Sequence, residues 1–160
     1  MTKTLKRKVL AYIVHQGRLL VFRHRDFPEA GIQVPGGTLR EGDLPEAAAL
    51  REAREETGLE QLQIIRMVGE QVRLMTSENM SQIHHRYFFL LKCAGTPPET
   101  WTHTETDPSE GRPGSIYFEF FWAPLPNGVP ELSGGQDYCL NKAIDYLIAT
   151  GECCGRNAPN

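Results

Sequence analysis

Nowhere in its 160 residues does the chain run 18 or more apolar side chains together, so no segment is suited to cross a bilayer as a helix. The opening residues, MTKTLKRKVL, put basic side chains where a secretory leader needs an apolar stretch. A soluble, cytoplasmic protein with no membrane partner is expected. Cysteine is scarce: Cys93, Cys139, Cys153 and Cys154 form no C-x-x-C pair, and no histidine stands at zinc-finger spacing. Thiolate metal binding is therefore not expected, and reduced thiols are. An excess of one charge is missing too. Lys and Arg number 17 against 20 Asp and Glu, a net charge of -3, which provides no global pull toward nucleic acid. Attraction to phosphate has to be local. The one basic cluster, Lys3, Lys6, Arg7 and Lys8, reads as a solvated arm. Repeats and low-complexity tracts are absent as well, and the length suits one domain, residues 1–150, with a disordered tail at 151–160.

What the chain does have is concentrated between Gly37 and Leu59, in GTLREGDLPEAAALREAREETGL. Helical spacing puts Glu52, Glu55 and Glu56 within about 100° of arc. Like charges at Glu52 and Glu56, four residues apart, repel by a few tenths of a kcal/mol, and a bound cation would reverse that sign. With oxygen as the only donor in the segment, the cation of choice is Mg2+, or else Mn2+. Ala49, Leu50 and Ala53 form the opposite, apolar side that docks on a sheet. Ala48 lies one turn before Glu52, where its small side chain leaves room for a ligand. Arg51 can reach Glu55 at i,i+4 and orient it. Gly36 and Gly37 permit a tight bend that offers a backbone carbonyl to the same metal, and Gly58 reads as a left-handed helix cap. Asp43 has two readings, a helix N-cap ahead of Leu44, Pro45 and Glu46, or a metal contact.

This segment resembles the Nudix box, G-x5-E-x7-R-E-U-x-E-E-x-G-U with U a bulky aliphatic residue. Seven of nine constrained positions agree: Gly37, Arg51, Glu52, Glu55, Glu56, Gly58 and Leu59. Ala53 is smaller than the family's aliphatic residue, and Asp43 stands in place of glutamate, one methylene shorter. The resemblance implies an α/β fold, an α/β/α sandwich with a mixed β-sheet. It also implies hydrolysis of the pyrophosphate in a nucleoside diphosphate linked to another group, a small-molecule nucleotide substrate, and frequent homodimers. A divalent metal would be held by Gly36, Glu52, Glu55 and Glu56. Its general base would be Glu52 or an acid on a distant loop, here Glu105, Asp107 or Glu110, with Glu119 on the next strand a further choice. Candidate catalytic residues are thus Glu52, Arg51 and Glu105. A non-catalytic module that senses a nucleotide or binds a protein is the rival reading; such modules often lose box acids that this chain retains.

The surrounding pattern is consistent. Residues 8–14 and 18–23 read as a hairpin turning at His15 to Gly17, and residues 44–57 as the box helix. Residues 62–75 and 83–93 read as antiparallel strands, 115–123 as a strand and 137–150 as a helix. The stretch from Gly95 to Gly114, rich in Pro, Thr, Asp and Glu, reads as a long loop. Substrate contacts are expected from Arg23 and Arg25 at the end of the second strand and from Gln33 beside the glycine pair. Trp101, in the long loop, is a candidate to stack on a base. The stretch beyond the box, GEQVRLMTSENM, lacks the residues that often mark ADP-ribose, dinucleoside polyphosphate and NADH pyrophosphatases. Nucleoside triphosphates and RNA 5′ ends stay open, the latter with little support from an acidic chain.

Overall fold

Strand β1 (Thr4–His15) is apolar at every position from Val9 to Val14 because both of its faces are covered. Val9, Ala11 and Ile13 enter one hydrophobic cluster, while Leu10, Tyr12 and Val14 enter a second on the other side of the sheet. In the computed structural model, which describes residues 3–105 and 116–152, β1 lies inside a seven-stranded sheet. The other strands are β2 (Arg18–His24), β3 (Gly36–Thr38), β4 (Leu62–Ser77), β5 (Met80–Cys93), β6 (Thr100–Glu105) and β7 (Ile116–Pro124). Their order is β4-β5-β1-β2-β7-β6, and β3 pairs with β1 off this path. The pairing of β1 with β5 is parallel and the remaining pairs are antiparallel, so the sheet is mixed.

Two helices cover the two faces. Helix α1 (Pro45–Thr57) buries Ala48, Ala49, Ala53 and Thr57, and its alanines pack into the cluster that holds Val9. Helix α2 (Leu140–Ala149) buries Ala143, Ile144 and Leu147 in the cluster that holds Leu10. The small side chains of α1 let its axis approach the sheet closely, which brings the neighbouring glutamates down beside β3. The result is the α/β/α sandwich with a mixed sheet. No helix among the described residues is long and apolar enough to cross a membrane.

Two local expectations fail. The long loop from 95 to 114 contains β6, whose residues pair with β7 from Thr100 opposite Phe121 to Glu105 opposite Ile116. Alternating Thr and an aromatic ring suit a strand, and β6 completes the edge that β7 would otherwise leave bare. The basic cluster is not a solvated arm, since β1 begins at Thr4 and Lys6, Arg7 and Lys8 are strand residues. Asp107, Glu110, Cys153, Cys154 and most of the expected tail lie outside the described residues.

Candidate active site

The acidic face of α1 is positioned from both ends. At the start, Pro45 occupies the first turn, and the N-cap is Leu44 with no side-chain hydrogen bond. Asp43 therefore does not cap the helix. Its Oδ2 instead accepts from the Arg40 backbone N–H at 2.8 Å and from Arg51 Nη1 at 3.0 Å, which draws the preceding turn toward the helix. These donors hold the Asp43 carboxyl below its ordinary range, the Arg40 N–H first and Arg51 after it. Arg51 does not reach Glu55. It bridges Asp43 and Glu52, with Nη2 at 3.2 Å from Glu52 Oε1. Its Nε is shielded from solvent and has no hydrogen-bond partner among the described residues.

At the other end, β6 clamps the last turn. Trp101 Nε1 donates to the Thr57 carbonyl at 2.9 Å, and a ring nitrogen of His103 lies 2.9 Å from the Glu55 carbonyl. Thr57 Oγ1 donates to the Ala53 carbonyl at 2.6 Å, and the Gly58 N–H donates to the Arg54 carbonyl at 2.9 Å. Carbonyls that a helix end leaves without intrahelical partners are thus satisfied largely by side chains. Gly58 adopts φ +76°, and a Cβ there would stand 2.9 Å from His103 Nδ1, so both backbone and space call for glycine. Trp101 and His103 were not legible as supports for the helix, because their strand was hidden in a polar stretch.

Between these anchors, Glu52 is half-buried against Gly37. A Cβ on Gly37 would lie 2.6 Å from Glu52 Cγ and closer still to its carboxylate, so the missing side chain is the space that the carboxylate fills. Desolvation pushes the Glu52 carboxyl up, the Arg51 hydrogen bond opposes this, and the like charge of Glu55 adds to it. Glu56 Oε2 is 3.4 Å from the Gly36 backbone N–H. Glu55 is exposed. Ala48 is fully buried in the core and leaves no room for a ligand, contrary to the sequence-based expectation.

The donor set is hard oxygen throughout, on one strip of helix beside a two-glycine strand. That chemistry fits Mg2+ or Mn2+. Among the described residues, no three His, Cys, Asp or Glu side chains are already drawn together closely enough to hold an ion. The glutamates would have to converge on it.

The expected substrate residues lie elsewhere. Arg23 stacks over Phe121 and pairs with Glu119 at 3.3 Å, and Arg25 lies 3.9 Å over Tyr117 and pairs with Asp26. Alternation along β2 and β7 places both arginines on the α2 face of the sheet. Gln33 is on that side as well, its Oε1 3.4 Å from Gln136 Nε2. Trp101 is a strand residue rather than a loop residue. Its ring stacks on Phe120 at 5.1 Å and 15°, and its N–H is taken by the helix end. Glu105 ends β6, and Glu119 is paired with Arg23.

The NUDIX domain family matches residues 4–128, most of the chain. The protein belongs to the Nudix hydrolase family. Solved Nudix-fold structures agree on architecture. The MutT NUDIX hydrolase from Burkholderia pseudomallei is 21% identical with TM-score 0.58, covering 88% of this chain and 98% of that one. A UDP-X diphosphatase is 16% identical with TM-score 0.61, covering 97% and 68%. The E. coli ORF135 protein is 17% identical with TM-score 0.54, covering 98% and 96%. At these identities the likeness concerns the Nudix fold. No curated protein matches the sequence.

Proposed function

We propose that this Nudix protein hydrolyses the pyrophosphate linkage of a nucleoside diphosphate joined to another group, using Mg2+ or Mn2+. The observation that carries the reading is the placement of Glu52, its carboxylate desolvated against Gly37 and held by Arg51, one turn from Glu56 beside Gly36. Glu52, Glu55, Glu56 and the Gly36 carbonyl would hold the metal. When bound, it neutralises pyrophosphate charge and acidifies a water. Arg51 fixes the orientation of Glu52. Glu52 is the first choice of general base and Glu105, at the end of β6, the second.

The test is a panel of NDP-sugars, nucleoside triphosphates, oxidised dNTPs, dinucleoside polyphosphates and capped RNA. It is run with Mg2+, with chelator, and with Glu55→Gln and Glu56→Gln. Turnover of at least one compound that needs metal and both glutamates is expected. Metal-independent tight binding without turnover of any would favour a nucleotide sensor instead.

A further inference from the structure

The face of the sheet opposite α1 gathers positive charge. Alternation puts Lys6 and Lys8 of β1, His84 and Arg86 of β5, and Arg73 of β4 on the side that carries Leu10 and Phe88. Arg86 is only 8% exposed and donates from Nη1 to the Gly134 carbonyl at 2.7 Å. Arg73 Nη1 donates to the same carbonyl. Among the described residues neither Arg73 nor Arg86 has a carboxylate within 4.0 Å. One carbonyl dipole does not neutralise two guanidinium ions. The crowding is felt by its members: burial and then Arg73 push Arg86 down, and burial followed by Lys8, Arg86, Lys6 and Arg73 pushes His84 down.

The loop that meets these arginines is shaped to approach them. Gly134 and Gly135 have φ of +63° and +69°, and a Cβ on Gly135 would stand 2.5 Å from Arg73 Nη1. A cavity of about 400 Å³ opens along Arg73, Ser133, Gly134 and Gly135, with Glu131 and Asp137 on its wall. The same face reaches the acidic helix through β3. Lys8 Nζ donates to Thr38 Oγ1 at 2.7 Å, and Thr38 follows the Gly37 that abuts Glu52.

We propose that Arg73 and the Ser133–Gly135 loop, whose Gly134 carbonyl the buried Arg86 holds, form a recognition site for a phosphate group on the α2 side of the sheet. The Arg73 guanidinium and the Ser133 hydroxyl present donors that a phosphate accepts, and the buried Arg86 adds positive charge at longer range against Glu131 and Asp137 on the cavity wall. Its carrier is either the substrate's far end or free phosphate; only the first rests on the hydrolase reading.

The experiment titrates the full-length 15N-labelled protein with inorganic phosphate in EDTA, so that metal-bridged binding at the glutamates is excluded. Saturable shifts of the Gly134 and Gly135 amides are expected, with affinity at least tenfold weaker in Arg73→Gln. Because Arg86 is buried, the half-buried Arg73 carries the test. Absence of saturable shifts, or equal affinity in Arg73→Gln, overturns the site. A second arm compares KM for ADP-ribose and 2′-phospho-ADP-ribose. A lower KM for the phosphorylated compound that Arg73→Gln abolishes assigns the site to substrate. Equal KM values with phosphate binding retained assign it to free phosphate. Phosphate shifts without turnover of any nucleotide leave this site standing while the hydrolase reading falls.

Discussion

The indole N–H of Trp101 donates to the Thr57 carbonyl at 2.9 Å, tying an edge strand to the last turn of the acidic helix. Because Glu55 and Glu56 occupy that turn, the bond sets where two of the proposed metal ligands stand. Trp101→Phe keeps most of the ring but leaves the carbonyl without its donor. The expected loss is about 1 kcal/mol of stability. Urea unfolding measures this, and a variant as stable as wild type would show that water replaces the indole at no cost.

Gly37→Ala places a methyl group where the Glu52 carboxylate sits. The backbone tolerates alanine there, so the fold survives and the carboxylate moves. A displacement near 1 Å at the reacting centre lowers kcat by roughly a hundredfold. Steady-state kinetics alongside a melting curve separate the two effects. Unchanged kcat would mean that Glu52 need not stay against β3.

Arg51 links Asp43 and Glu52, and the fork is what makes the link. Arg51→Lys retains charge but cannot hold both carboxylates in one plane, and a loss of about tenfold in kcat is expected. Asp43→Asn tests whether Asp43 is a metal ligand. Its Oδ2 is already taken by Arg40 and Arg51, so the Mg2+ concentration for half-maximal activity should stay near wild type, while Glu56→Gln raises it. Equal increases in the two variants would make Asp43 a ligand after all.

His84 lies among cations, and burial with those charges holds its pKa below the usual 6.5. The unfolded chain then binds a proton more readily than the folded one, so stability is fully present above the unfolded value. It declines as pH falls from there toward the folded value, and levels off below it. Melting temperatures from about pH 7.5 to about pH 5 should fall more steeply in wild type than in His84→Gln. Parallel profiles would show that the ring keeps its ordinary protonation.

The box helix was readable because its information is local. Three glutamates at helical spacing, a left-handed glycine after the last turn and alanines on the docking side all follow from a 3.6-residue period. The apolar run of β1 likewise announced a strand, and the fold shows that both of its faces are covered. Of the two readings of Asp43, the cap fails because its partners, the Arg40 N–H and the Arg51 guanidinium, are chosen by how the loop folds back over the helix. The β6 strand was missed because a strand of threonines and single aromatics gains its stability from β7, a pairing that prolines and acids on either side disguise.

By itself, then, the sequence determined the strip of carboxylates, which helical periodicity sets, and the family resemblance of the box, which in turn implied the sandwich. Tertiary structure alone decided that Arg51 serves Glu52 rather than Glu55, and that Trp101 braces a helix. It alone brought Arg73 and Arg86 to one carbonyl 48 or more residues away along the chain. Those relationships join segments distant in sequence, and which partner a charge or a donor finds is fixed only when sheet register and helix docking bring the segments together.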